Sequence, residues 1–457
     1  MKAGAVLRSM MLGALLRWTA GPRIEDLLAR LTGRLNRDPP LGEALQALEE
    51  ARGPLVELLA HHLRSDAAAG LLAAKMLNLL LADYHFRLRS EALCSQPFGL
   101  IVDPANGCNL TCPGCVHSEH SKAFQLFDWN KGMLSEERFE ALLRQHGAAA
   151  VQLMFCNYGE PTINPKAPRM IAMANSYLIQ TALSTNLALP RFDAEAYVAS
   201  GLDFMILSID GVTQPVYEQF RRNGKIDVVF ENVRKLVAAK IRMGRRTPIL
   251  RWQYLAFEHN RHEIPAALRK ANALGVDQFS VETPFDVSWD AAGVRVARSV
   301  PAASHELTLD TEAALGQAFR RKVSGCLGGG ASAGGWAAHP GNEVRGSPAR
   351  HTCAWLYKNM AMDANGRILP CCGAPQKDLR LEYAKFPEEV DCFNSSDYRR
   401  VRGHFARGAG DLPEGIVPHC EKCEWDHSDA LIGREQVAVY LRAAGVSTGA
   451  IRMLAGW

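Results

Sequence analysis

At 457 residues and 47% hydrophobic content, the chain is long enough for roughly three domains with buried cores. Its 52 basic and 48 acidic residues leave a net charge of +4, too small and too dispersed to argue for a nucleic-acid partner. Twelve cysteines are too sparse for a disulfide scaffold and fall in metal-like clusters, which predicts a reducing, cytoplasmic setting.

Residues 1–21 carry Arg8 inside their apolar stretch and no clean small-residue cleavage site, so an amphipathic helix is expected there rather than a secretion signal. No run of about 20 uncharged apolar residues follows, and no membrane span is expected. Residues 1–95 read as a helical domain, with helical periodicity in Ile24 to Leu35, Leu41 to Ala51, Leu55 to Leu63 and Ala67 to Leu88. Breaks are predicted at Pro39-Pro40 and at Gly53-Pro54.

From 96 to about 300 strand and helix patterns alternate with short loops, which predicts βα units on a parallel sheet. Six strands are expected: Leu100 to Asp103, Val151 to Asn157, Thr181 to Thr185, Phe204 to Ile209, Ile249 to Ala256 and Phe279 to Glu282. Ser135 reads as the N-cap of one intervening helix, and Val228 to Lys240 as another. On the fifth strand Gln253 must face opposite to Trp252 and Tyr254, but periodicity alone does not say which face is enclosed.

Directly after the first strand comes Cys108-Asn109-Leu110-Thr111-Cys112-Pro113-Gly114-Cys115, a C-x3-C-x2-C triplet. Three closely spaced thiolates can hold three irons of a cubane cluster and leave the fourth open, as catalysis requires. Zinc is the other reading, with His117 or His120 near enough to complete a set, although zinc sites usually pair C-x2-C knuckles. In this spacing and place the chain resembles the radical SAM superfamily. The resemblance implies a partial (β/α)6 TIM-like barrel, a 4Fe-4S cluster on Cys108, Cys112 and Cys115, and S-adenosylmethionine on the open iron. Gly114 departs from the family, which often has an aromatic residue there.

Further matches sit at the strand ends. Tyr158-Gly159-Glu160-Pro161 resembles the family's Gly-Gly-Glu motif, with Tyr158 in place of the first glycine, and the resemblance implies a hold on the methionine amino group. Ser184 and Asn186 after the third strand, and Ser208 and Asp210 after the fourth, resemble ribose and cofactor contacts.

Residues 301–350 form a glycine-rich connector, including Gly328-Gly329-Gly330 and Gly334-Gly335, read as a loop that covers the active site. In residues 351–430, Cys353, Gly366 and Cys371, then Cys420 and Cys423, resemble the opening of a SPASM domain in its shortened, twitch-type form. One auxiliary 4Fe-4S cluster on Cys353, Cys371, Cys420 and Cys423 is implied, with zinc on the same four as the other reading. Residues 431–457 are expected as a helical tail.

The resemblance implies reductive cleavage of S-adenosylmethionine to a 5'-deoxyadenosyl radical, fed by an electron donor such as flavodoxin or ferredoxin. No strand-bearing leader-binding module and no D-x-H-x-x-G cobalamin signature is found. The expected substrate is therefore a sugar or other small metabolite undergoing oxidation or epimerisation. A peptide is the alternative, and a non-catalytic iron-sulfur or zinc scaffold is the reading from another class. Cys156 and Cys326 are candidate hydrogen donors to a product radical, one beside the Tyr-Gly-Glu-Pro turn and one in the connector.

Overall fold

A computed structural model describes residues 23–118, 131–284, 293–297, 300, 303–307, 309–326, 353–369, 371, 391–407, 438, 441–442 and 445–455. The helix expected in 1–21, residues 327–350 of the glycine-rich connector, and Cys420 and Cys423 lie outside the described residues. The first part of that connector is not a loop: it forms a strand at Ala303–Glu306 and a helix at Thr311–Ser324, whose Ala314, Leu315, Ala318 and Phe319 are buried.

The six expected strands all form, within two residues of the expected ends: β1 (Gly99–Val102), β2 (Gln152–Phe155), β3 (Gln180–Thr185), β4 (Phe204–Ser208), β5 (Ile249–Leu255) and β6 (Gln278–Glu282). They pair in parallel and in chain order, the arrangement of a partial (β/α)6 barrel. Three further short strands extend the sheet: β7 (Ala303–Glu306), β8 (Asn359–Met362) and β9 (Ile368–Leu369). The order is β7-β6-β5-β4-β3-β2-β1-β8-β9, with β7 and β9 antiparallel edges and β8 parallel to β1. The segment resembling a SPASM opening thus starts as strands of the same sheet.

The two sheet faces are unlike. Leu100, Leu153, Leu183, Leu207, Trp252, Tyr254, Phe279 and Val281 belong to one apolar core with side chains of the surrounding helices, such as Met170, Val233 and Ala271. The opposite face carries Cys156, Ser184, Ser208, Arg251, Gln253, Ser280 and Glu282, set by the two-residue alternation of a strand. Gln253 therefore lies on the face away from the helix-packed core. Helix Thr311–Ser324 closes the lower part of that face, packing Ala314 and Leu315 on Ala182, Phe204 and Ile249.

The helical domain is a hairpin, α2 (Leu41–Leu63) on α3 (Asp66–Leu88), preceded by α1 (23–35). Gly53-Pro54 does not break it. Both residues are exposed, while Ala51, Leu55 and Leu59 are buried on the core side, so packing outweighs the proline's missing N–H and its ring clash. α3 is long and apolar enough, by length and composition, to cross a membrane, and most of it is packed inside the protein. Val446, Ala450 and Ile451 near the C-terminus join the core of this hairpin, so the tail and the N-terminal helices form one unit.

Lys75 on α3 is buried and donates to the carbonyls of Gly147 and Ala150, just before β2. Burial lowers its pKa to about 7, and a neutral amine has two N–H donors for those two carbonyls. A depressed folded value means stability that is present above the unfolded value of about 10.4 and lost as pH falls toward 7. Wild type should therefore gain stability relative to Lys75→Met as pH rises from 7 to 10, approaching about 1.4 kcal/mol per pH unit in denaturant titrations. A pH-independent difference would contradict the neutral amine.

Candidate active site

The functional side chains collect at the C-terminal ends of β1 to β6, where a parallel βα array leaves its loops and keeps its chemistry. Asp103, one residue past β1, is the organising group. Its buried carboxylate accepts from the backbone N–H groups of Asn157 (2.8 Å), Tyr158 (3.1 Å) and Gly159 (3.4 Å). Burial raises the Asp103 carboxyl to about 7, against those hydrogen bonds, which favour its ionised form. Gly159 is fixed by contact: a Cβ there would lie 1.7 Å from the Ala105 carbonyl oxygen, so only glycine permits this approach of the two loops.

Glu160 and Asn186 lock the β2 and β3 loops together. The buried Glu160 carboxylate accepts from Thr162 N (3.1 Å), Thr162 Oγ1 (2.5 Å), Thr185 Oγ1 (2.7 Å) and Asn186 N (2.8 Å). Pro161, also buried, opens the short 3-10 helix that Glu160 caps. Asn186 Nδ2 in turn reaches Asn109 Oδ1 (3.0 Å) and Cys108 Sγ (3.6 Å). The expected cofactor residues are therefore brought together with the cysteine loop, and the Glu160 carboxylate itself is spent on the loops.

The triplet folds as successive turns, with Cys115 N bonded to Cys112 O (3.1 Å) and Gly114 at φ 76°, a left-handed conformation that explains glycine where the family often has an aromatic residue. Burial pushes the Cys108 and Cys112 thiols up to about 12 and raises Cys115 as well. Metal binding must displace those protons. Among the described residues no three His, Cys, Asp or Glu side chains gather around a single-ion position. A cubane, whose thiolates each hold a different iron, does not need such a gathering.

Asp103 and Arg221 were not found from sequence, and His117 was read only as a candidate zinc ligand. Arg221 pairs with the buried Asp210 through Nε and reaches Cys112 Sγ through Nη1 (3.9 Å). Burial opposes its charge, but Asp210 and Cys112 together hold its pKa above the ordinary value. Asp210, expected as a cofactor contact, is spent on Arg221 and on Leu255 N (2.7 Å). His117 Nε2 bonds the Tyr158 carbonyl (2.7 Å), tying the end of the cysteine loop to the Tyr-Gly-Glu-Pro turn. A signal for Arg221 was present in its position on the helix–loop after Asp210, but a lone arginine carries no spacing rule.

Ser184 and Ser208 face each other across β3 and β4 at 3.3 Å, and Cys156 lies beside Ser184. Cys326 is placed elsewhere. It packs with Ala68, Leu71, Leu178 and Ala148, before the N-terminal ends of β2 and β3, at the opposite end of the sheet. Cys353 and Cys371 share one apolar cluster with Trp355, Leu369 and Tyr158, so the structure brings these two auxiliary candidates together. Gly366, at φ 83°, makes the β8–β9 turn between them.

Residues 102–253 match the family model described as the Radical SAM superfamily. The chain carries a radical SAM domain. A GTP 3',8-cyclase from Chlorobaculum tepidum is 27% identical over 206 residues, covering 43% of this chain and 58% of that protein. A second, from Heliobacterium modesticaldum, is 28% identical over 145 residues, 31% of this chain and 43% of that one. The chain thus spans about half the length of these curated relatives. Among solved structures, Streptococcus suis SuiB bound to S-adenosylmethionine is similar over 71% of this chain and 72% of its own, at 16% identity and a TM-score of 0.44. BtrN in complex with AdoMet and 2-DOIA covers 69% and 89%, at 13% identity and a TM-score of 0.36.

The superfamily implies a 4Fe-4S cluster and S-adenosylmethionine, and the donor set suits them: three thiols on one loop, a glycine at close backbone approach, and Asn157 Nδ2 buried beside it with no partner among the described residues. Arg221→Met removes a positive charge and an N–H···S contact beside Cys112. The cluster's midpoint potential should fall by tens of mV in an EPR-monitored titration, and an unchanged potential would remove Arg221 from the cluster's surroundings. Asp103→Asn should weaken S-adenosylmethionine binding about tenfold, roughly 1.4 kcal/mol, in anaerobic calorimetry. It should also flatten the loss of wild-type affinity as pH falls through 7.

Proposed function

We propose that this protein is a radical SAM enzyme that abstracts hydrogen from a small polar metabolite, with oxidation or epimerisation as the outcome. The observation that carries the reading is the convergence, at one end of a parallel sheet, of the cysteine triplet with the Gly159-Glu160 turn and a polar inner face. Cys108, Cys112 and Cys115 would hold the cluster, and the backbone around Gly159, fixed by Asp103 and His117, would receive the methionine end of the cofactor. When bound, the cluster and S-adenosylmethionine supply a 5'-deoxyadenosyl radical. The chain's part is to hold the reacting carbon near it and to keep water out.

Among the described residues, Cys156 is the thiol best placed to return a hydrogen atom. Burial raises its thiol well above the ordinary range, with Asp103 and Glu160 adding to the shift, so it stays S–H at neutral pH. A hydrogen-atom donor must be the thiol and not the thiolate. Return of hydrogen from Cys156 leaves a sulfur radical that needs one electron, from a flavodoxin- or ferredoxin-type donor, and one proton, from solvent. Cys353 and Cys371, with Cys420 and Cys423, are proposed to hold an auxiliary cluster that would accept electrons if the outcome is oxidation.

The test is 5'-deoxyadenosine formation by anaerobically reconstituted protein with a strong reductant. Wild type should form it and Cys112→Ala should not; equal yields from both would sink the reading. With substrate in hand, Cys156→Ala should abolish an epimerisation and leave an oxidation running.

A further inference from the structure

The inner face of β4, β5 and β6 carries a second polar assembly that begins at the cofactor residue Ser208 and runs away from it. Ser208, Gln253 and Ser280 are register neighbours on the three strands. Gln253 Nε2 donates to Glu282 Oε2 (2.6 Å) and Ser280 Oγ donates to Glu282 Oε1 (3.1 Å). On the same strand Phe279 and Val281 point into the apolar core, so β6 is polar on one face only. Enclosing three polar side chains on an inner sheet face is costly unless their capacity is met. Most of the capacity left over accepts, although Gln253 Nε2 keeps a second N–H. A carboxylate offers about four acceptor positions, and two are filled here. Gln253 Oε1 and the Ser280 lone pairs are also acceptors. Glu282 is half-buried and has no ion pair among the described residues; Arg251 on β5 stands opposite Gln278, four residues earlier on β6, and gives it Nε (2.8 Å).

A carboxylate with no ion pair among the described residues, set among further acceptors, selects a cation with neighbouring donors. We propose that Glu282, oriented by Gln253 and Ser280, is the anchoring pole for a small substrate bearing an ammonium group and hydroxyls, such as an aminated sugar. Strands lie about 4.8 Å apart, so Ser280 stands roughly 10 Å from Ser208 across two strand spacings. That span accommodates a ring of monosaccharide size between the cofactor end, at Ser184 and Ser208, and the pole at Glu282. This rests on the radical SAM reading for its cofactor end, but its test is a binding measurement that does not depend on turnover.

The full-length, cluster-reconstituted protein with S-adenosylmethionine is titrated by calorimetry with three probes: glucosamine, glucose and glucuronate. Glucosamine should bind at least tenfold more tightly than glucose, and glucuronate more weakly than either. Glu282→Gln, isosteric and neutral, should erase the preference for glucosamine over glucose, and Glu282→Ala reads the same loss if the first variant is unstable. Ser280→Ala keeps the charge and should keep the preference. Equal affinity for the three probes, binding of none, or a preference that survives both Glu282 variants would overturn the assignment. Failure of the radical reading would show separately, as absence of 5'-deoxyadenosine from a protein that still prefers glucosamine.

Discussion

One carboxylate holds the site together. Asp103 leaves β1 and takes three consecutive backbone N–H groups from the turn after β2, so the loop that carries the cysteines and the loop that carries Gly159 cannot move independently. Each of those N–H groups would otherwise be a buried donor without an acceptor, at about 1–3 kcal/mol. The same economy recurs at Glu160, whose four acceptor contacts join the β2 loop to the β3 loop, and at Asp210, which seats Arg221 against Cys112. Three buried acids serve as tethers, and each draws one more strand end toward the cysteine triplet.

What the tethers leave available is the inner face of the sheet. Its lower part is closed by the helix Thr311–Ser324, whose Lys322 is buried in an ion pair with Asp203 and also donates to the Ile179 carbonyl (2.7 Å). Its upper part stays polar, from Cys156 through Ser184 and Ser208 to Gln253 and Glu282. This division follows from strand alternation: the residues between these, Phe155, Leu207, Trp252 and Val281, are committed to the helix-packed core, and they fix the register that sets the polar row.

Much of this was legible in the sequence. The six strands read from short apolar runs between turn residues, and the cysteine spacing needed no structure to mark the first loop. Gly159 and Gly366 read as motif glycines and prove to be a close approach and a left-handed turn. Other parts were not legible, for physical reasons. β8 and β9 are two to four residues long; β8 gains its existence from pairing with β1, a contact more than 250 positions away, and β9 from pairing with β8. Pro54 sits on the exposed side of α2, and only the packing of Leu55 and Leu59 shows that the helix continues. Asp103 and Arg221 are single charged residues without spacing partners, and Cys326 was read as near the chemistry because the glycine-rich segment that holds it was read as a loop over the site, whereas it follows the helix Thr311–Ser324 to the opposite end of the sheet.

The most direct measurement is the EPR spectrum of the reduced, anaerobically reconstituted protein before and after addition of S-adenosylmethionine, in a Cys353→Ala/Cys371→Ala background that removes signals from the auxiliary cysteines. A cluster on Cys108, Cys112 and Cys115 with an open iron predicts a 4Fe-4S signal whose g-values shift when S-adenosylmethionine is added, and which Cys112→Ala abolishes. A signal indifferent to S-adenosylmethionine, or bound zinc without sulfide, would contradict the account.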